Sequence, residues 1–391
     1  MFNATHGHSP THGGARQATR SATRRTLRSC LARTALLAVP AAALSASLGS
    51  TAALAAVSQP GKPAAVTAIT WHKLNLLNGW KSSQSTWNTG DPSYAISGGV
   101  VYLSGSLHGG AAGSDLAILP KSARPARWLY LTVDTYNGSH GILLIKSDGE
   151  MSVYSLPATN ATTYSSLAAV SYPTAATSQH KLSLTNGWTS AQAPYGTGDP
   201  SYVVKSGIVY LSGSLKGGTS ADFSVLPVGA RPAHIIYRGT YTLDGAFGEA
   251  YFEPTGFAGA GLTTAGKGYT SLAGISFPVP AVTQHKVTLL NGWKSGQTPF
   301  GTGAFSYAVK GGIVYLSGGI KQPSGSNALV AVLPKAARPT HNLWITVYTS
   351  SATVGTLHIR PNGQVIVGSA ADPSAARTIT SLGAISYPHN S

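Results

Sequence analysis

Catalysis needs positioned acids, bases or nucleophiles, and this 391-residue chain carries only 11 carboxylates. None of them holds the same place in each of three internal repeats. Asp91 and Asp199 correspond to one another, as do Asp115 and Asp222, but the third copy has Ala304 and Leu329 there. Glu249 and Glu253 are close enough in sequence to suggest a glycosidase pair. No motif supports that reading, and alternation on the solvent face of a strand accounts for both. His72, His180 and His285 recur, each followed by Lys. One histidine per repeat falls short of the three or four ligands zinc takes, so a convergence of all three on one ion would require a ring of repeats. The simpler reading is a backbone-bonded histidine where a linker meets a strand. His234 and His341 follow Arg-Pro-x, but Arg127 breaks that pattern. The single cysteine, Cys30, lies near the N-terminus, and no G-x-S-x-G elbow or phosphate loop occurs. Gly109-Gly110 and Gly217-Gly218 read as flexible loop tips. The expectation is a protein that is not an enzyme, with no cofactor and no metal.

Binding has better raw material. Saccharide sites combine aromatic surfaces with amide and hydroxyl groups. A polar, Gly/Thr-rich loop early in each repeat carries Trp87 near Gln84, Tyr195 near Gln192, and Phe300 near Gln297. Core packing is the simpler account of any one of these rings, but the recurring pair makes this loop the candidate ligand site. The tryptophans of the three Asn-Gly-Trp triplets, Trp80, Trp188 and Trp293, read instead as anchors of the fold.

The elements that must position these residues repeat as well. A module that opens His-Lys, passes through Asn-Gly-Trp, a Val-Tyr-Leu-Ser-Gly run and Ala-Arg-Pro, and closes on Ser-(Tyr/Phe)-Pro begins at His72, His180 and His285, spacings of 108 and 105 residues. That period is too long for a solenoid unit and fits one small domain. The boundaries read as 72–173, 180–278 and 285–388. Thr174–Gln179 and Val279–Gln284 are the short connections. Apolar runs are brief, alternate with period two and are punctuated by Gly, Pro and Asn, so the fold class is all-β. In the first copy Leu74 and Leu76 mark a strand, and Tyr94–Ile96 and Val100–Leu107 a hairpin about Gly98-Gly99. Strands follow at Leu116–Leu119, Trp128–Tyr136, Ile142–Ile145, Met151–Tyr154 and Leu167–Tyr172. Seven or eight short strands per copy suggest an antiparallel β-sandwich or jelly roll. Gly105, Gly213 and Gly318, inside the strongest strand, mark a bulge or a close backbone approach. Tyr102, Tyr210 and Tyr315 give that strand an aromatic face opposite its Val/Leu face.

Residues 1–56 differ in character. They hold Arg16, Arg20, Arg24, Arg25, Arg28 and Arg33, no lysine and no acid, followed by an Ala/Leu-rich stretch from Ala35 to Ala56. Ala53-Leu54-Ala55 fits a cleavage site, so the segment reads as an export signal peptide. Thr23-Arg24-Arg25-Thr26-Leu27 is similar to a twin-arginine signal. Residues 57–71 then form a linker. Pro40 and the small residues make the stretch a poor permanent span, so no stable membrane span is expected after cleavage. Of the 27 lysines and arginines, the leader takes six, leaving 21 against 11 acids. That excess is scattered, which argues against nucleic acid and leaves a mild attraction to anionic wall polymers.

The run Asn186-Gly187-Trp188, Tyr202, Gly207-Ile208-Val209-Tyr210-Leu211-Ser212-Gly213-Ser214-Leu215, Leu226-Pro227 and Arg231-Pro232 resembles the head domains of phage tail-fibre and tail-tip proteins, which also occur in exported actinobacterial proteins. These are similar to the jelly-roll class of complement- and tumour-necrosis-factor-like heads. The resemblance implies non-catalytic recognition of a surface, often a saccharide, by domains that assemble as trimers. With three copies in one chain, it implies an intrachain pseudo-trimer; beads on a string is the alternative. The expected function is an exported or wall-associated protein that binds a cell-surface glycan or cell-wall polymer multivalently. A structural or self-associating surface protein is the alternative, and a polysaccharide hydrolase the third.

Overall fold

The computed structural model describes residues 69–369 and 371–391. The leader expected over 1–56 and most of the 57–71 linker lie outside them. Among the described residues no helix is long and apolar enough to cross a membrane.

Each repeat is built from antiparallel sheets. In the first, β1 (His72–Lys73), β3 (Ser93–Ser97), β4 (Val100–Ser104) and β11 (Ser171–Pro173) form a sheet in the order β1-β3-β4-β11. A second sheet uses β2 (Trp80–Ser82), β5 (Ser106–Gly109), β6 (Asp115–Ile118), β7 (Leu129–Thr135), β8 (Ser139–Ile145), β9 (Glu150–Ser155) and β10 (Ser165–Ser166), ordered β2-β5-β10-β7-β8-β9-β6. Strands β7, β8 and β9 are a meander, and β6 returns beside β9 in Greek-key fashion. The third repeat reproduces both sheets. In the second, the larger sheet is divided into three-stranded and four-stranded parts, with the bridge Thr242–Thr270 between them.

The β3–β4 hairpin forms about Gly98-Gly99, whose φ angles of 58° and 76° match the primed turn that strand twist favours. Four sequence expectations differ from the structure. The run Val100–Leu107 is divided at Gly105 into β4 and β5, which belong to different sheets. Leu74 and Leu76 follow β1 as irregular chain. The closing segment is divided into β10 and β11, because Leu167 donates its N–H to the Gly105 carbonyl before pairing with β4 resumes. Two short α-helical pieces per repeat, Gln84–Trp87 and Ala158–Thr163 in the first, carry no apolar periodicity long enough to be seen.

One face of β4 enters the core of its own repeat. Val101 and Leu103 pack with Leu131, Val133, Leu143 and Met151 of the second sheet. The other face does not meet solvent. Val100 and Tyr102 pack with Ile208, Tyr210, Ile313 and Tyr315, the same positions of the other two repeats. The three tyrosine hydroxyls hydrogen-bond to one another at 3.0, 3.1 and 3.3 Å. A strand apolar on both faces is therefore buried on both. Ile69 and Trp71 extend this cluster, and Asn390 near the C-terminus donates to the Ile69 carbonyl.

Glycine is required where β4 ends. Gly105 has φ +86°, and a Cβ there would lie 2.3 Å from the Asp91 carbonyl oxygen. Gly213 and Gly318 meet the backbone of Asp199 and Ala304 in the same way.

Candidate functional site: three clefts between repeats

The predicted loop begins with a single helical turn in each repeat, Gln84–Trp87, Gln192–Tyr195 and Gln297–Phe300. The turn ends on a left-handed residue, Asn88, Gly196 or Gly301, which releases a backbone carbonyl toward a neighbouring repeat. Trp128 of the first repeat donates its N–H to Gly196 of the second at 3.1 Å. Ile235 of the second donates to Gly301 of the third at 3.0 Å, and Asn342 of the third donates to Asn88 of the first at 2.8 Å. The same contact is thus made from first to second, second to third and third to first.

The candidate residues separate at these seams. All three rings are half-buried, and two of them pack against other rings. Trp87 lies among Tyr136, Tyr164 and Trp344, with centroids 6.4, 4.9 and 6.3 Å away. Tyr195 lies 4.3 Å from Tyr269 and 6.3 Å from Tyr130. Phe300 is half-buried as well. The glutamines are exposed, and each lines a cleft at a seam. Lys181, Gln192, Asp199, Ser201 and Ser212 face Arg127 across the first. Lys286, Gln297, Ala304, Ser306 and Ser317 face His234 across the second. Lys73, Gln84, Asp91, Ser93 and Ser104 face His341 across the third. Position by position these are the same residues of the repeat. The clefts measure about 480, 420 and 280 Å³, and the third is narrowed by Trp71, Asn390 and Ser391. Volumes of this order suit a small ligand or part of a polymer.

Two clefts contain an internal ion pair. Lys73 bonds Asp91, and Lys181 bonds Asp199. Lys73 and then Ser82, whose hydroxyl donates to Asp91 at 2.8 Å, hold that carboxyl below the usual carboxylate range. Lys181 and then Ser190 do the same for Asp199. Gln84, with its amide nitrogen turned toward Asp91, donates at 2.9 Å. In the second cleft Ala304 removes the carboxylate. There Ser295 donates to the Gly303 carbonyl at 3.0 Å, and the Gln297 carbonyl accepts from the Gly303 N–H at 2.6 Å.

Sequence reasoning missed the cross-seam partners. Arg127, His234 and His341 occupy one position, each against a glycine of the next repeat: a Cβ on Gly198, Gly303 or Gly90 would lie 2.9, 2.5 or 3.1 Å from them. The recurring Thr-Gly pairs at 89–90, 197–198 and 302–303 were the available signal. His72, His180 and His285 each lie against the tyrosine of the adjoining strand of their own repeat, at centroid distances of 5.2–5.4 Å. Among the described residues no three His, Cys, Asp or Glu are grouped to hold a metal. Glu249 lies on the strand Phe247–Phe252, and Glu253 follows it, accepting from Thr255 at 3.0 Å.

Two buried charges lie away from the clefts. Asp134, 3% exposed, accepts from Thr356 of the third repeat at 2.9 Å, and burial raises its pKa to about 7. Arg238 donates to the Thr346 carbonyl at 3.2 Å, and burial lowers its pKa to about 10. Comparison with family models, with curated proteins and with solved structures finds no match for this chain.

Proposed function

We propose that this chain is an exported, non-catalytic binding protein for carbohydrate or a cell-wall polymer. In this reading its three repeats are jelly-roll-like sandwiches arranged about a pseudo-three-fold axis, as in the trimeric heads the sequence resembles. The observation that carries the reading is the threefold recurrence of one polar cleft at the seams. Amide, hydroxyl and ammonium groups line it, a combination suited to saccharide hydroxyls and to anionic wall polymers. No recurring pair of acids accompanies it, so binding rather than turnover is the activity proposed. Three sites on one chain would raise avidity for a repetitive polymer through effective concentration. The glutamines belong to the ligand in this view, and the half-buried rings to the seams that shape each cleft.

Pull-down of the purified chain on a panel of insoluble wall polymers and glycans tests this. Retention should be lost when Gln84, Gln192 and Gln297 are replaced together by Ala. Equal retention of that variant, or no retention of the parent, would sink the proposal. Self-association is the second reading, favoured by one observation. Ile118, Val225 and Val332, equivalent residues on the outermost strand of the larger sheet, are 52%, 51% and 44% exposed. An exposed apolar edge is a template for pairing. Concentration-dependent sedimentation abolished by lysine at these three positions would favour that reading.

A further inference from the structure

The cleft between the second and third repeats differs from the other two by the loss of one side chain. Asp91 and Asp199 each fill their cleft with a carboxylate that neutralises Lys73 or Lys181. At the corresponding place the second cleft has Ala304, and Lys286, which lines the cleft, makes no ion pair among the described residues. The backbone register of the lysine is unchanged: Lys286 pairs with Ser306 as Lys181 pairs with Ser201. The position opposite the ammonium is therefore vacated without a change in the strands around it.

Two further groups of the third repeat and its linker lack hydrogen bonds that their counterparts make. Thr89 and Thr197 hydrogen-bond Ser106 and Ser214, but the third repeat has Gly319 instead, and the Thr302 hydroxyl, on a residue only 1% exposed, is unpartnered. Gln179 accepts from Ser212, whereas the buried carbonyl oxygen of its counterpart Gln284 accepts nothing, although Ser317, the counterpart of Ser212, lines the same cleft. A buried acceptor without a donor is costly, and an ammonium beside an empty carboxylate position favours an anion.

We propose that this cleft binds a carboxylate-bearing sugar, a uronic acid. The carboxylate takes the place of the absent aspartate opposite Lys286, and a sugar hydroxyl serves Gln284. A plain carboxylate would leave the Gln284 carbonyl without a donor, which is why a hydroxyl-rich acid fits better. The inference deepens the saccharide reading above and rests on it. The other two clefts, occupied by their own aspartates, would be reserved for neutral portions of a polymer.

Titration with glucuronate, glucose and acetate, followed by backbone amide shifts, tests it. Glucuronate should saturate one site, about 10-fold or more tighter than either glucose or acetate, with shifts at Gly303 and Lys286. Ala304→Asp, which restores the aspartate of the other two repeats, should lower glucuronate affinity at least about 10-fold, as should Lys286→Ala. Asp199→Ala should open a second glucuronate site in the first cleft. No saturable glucuronate binding, acetate binding as tightly as glucuronate, or unchanged affinity in Ala304→Asp would each overturn the proposal. Retention on a neutral polymer alongside failure with glucuronate would overturn this inference and leave the broader reading standing. Glucuronate binding without retention on any polymer would do the reverse.

Discussion

The seam between the first and second repeats and the seam between the second and third are made by the same backbone contact, yet their clefts are chemically opposite. In the first, Lys181 and Asp199 satisfy each other, and Thr197 has Ser214. In the second, Ala304 and Gly319 stand where those partners would be: Lys286 and Gln284 are left facing the cleft, and the buried Thr302 hydroxyl has no partner. The scaffold is held by backbone geometry, so single side chains can change without moving it. The frame is the same at both seams, and the contents of the clefts differ within it.

The third seam extends the comparison to buried charge and has the largest expected effect. Asp134 lies where the second and third repeats have Tyr241 and Tyr348. In the unfolded chain it ionises near its ordinary value of 3.8, whereas burial delays ionisation in the fold to about pH 7. Folding therefore takes up a proton between those values, and the stability from this group is full below 3.8 and lost as pH rises through 7. Asp134→Asn should be more stable than the parent at pH 8, by on the order of 2–4 kcal/mol, and the difference should vanish near pH 4. His358, which is stacked on Trp344 and whose pKa burial lowers to about 4, destabilises in the opposite sense as pH falls from 6.5. It is common to both proteins, so the difference in their urea midpoints isolates Asp134. A pH-independent difference would refute the assignment.

Next in size is the fit of the seams themselves. Gly303 and Gly198 both have positive φ, +75° and +74°. A Cβ on Gly303 would meet the rigid His234 ring at 2.5 Å, and one on Gly198 the flexible Arg127 stem at 2.9 Å. Gly303→Ala should cost about 3 kcal/mol and Gly198→Ala about 1–2 kcal/mol. Equal losses in denaturant unfolding would show that backbone strain, not the seam partner, sets the cost. At the shared tyrosine cluster, Tyr102→Phe should cost about 1 kcal/mol through lost hydrogen bonding, with Tyr210→Phe and Tyr315→Phe alike. A markedly unequal series would mean that the three hydroxyls are not equivalent.

The smallest effect bears most directly on the two clefts. Lys181 is mostly exposed, so its pair with Asp199 is screened and Lys181→Ala should cost no more than about 0.5 kcal/mol. The depressed carboxyl pKa places that contribution above pH 3.8, with loss as pH falls through the still lower folded value. Lys286→Ala should leave stability unchanged, because Ala304 leaves no carboxylate opposite it. A measurable loss there would mean that Lys286 already has a partner.

Much of the fold was legible because its signals are local. The Gly98-Gly99 hairpin, the buried Asn-Gly-Trp tryptophans and the close approach at Gly105, Gly213 and Gly318 follow from turn chemistry and from the absence of a Cβ. The candidate loop was legible in part. Its aromatic–glutamine pairing was visible, but not that the ring would enter a seam and the amide a cleft. That division depends on residues such as Trp344 and Tyr130, which are remote in sequence. The Arg-Pro-x spacing marks Arg127, His234 and His341 as one position, but their cross-seam role was hidden because an arginine and two histidines share no chemistry and the glycines they meet lie in another repeat.

The sequence by itself determined the three repeats, their β character, the glycines at their turns and the drift of carboxylates from copy to copy. These rest on spacing, on period-two alternation and on backbone conformations that only certain residues adopt. Only the tertiary structure decided that the aromatic face of β4 is buried against the other repeats rather than presented to a ligand. It also decided that the polar drift between copies gathers in the clefts at their seams. Both outcomes depend on contacts between residues about a hundred positions apart, and no local pattern encodes which surface such residues will share.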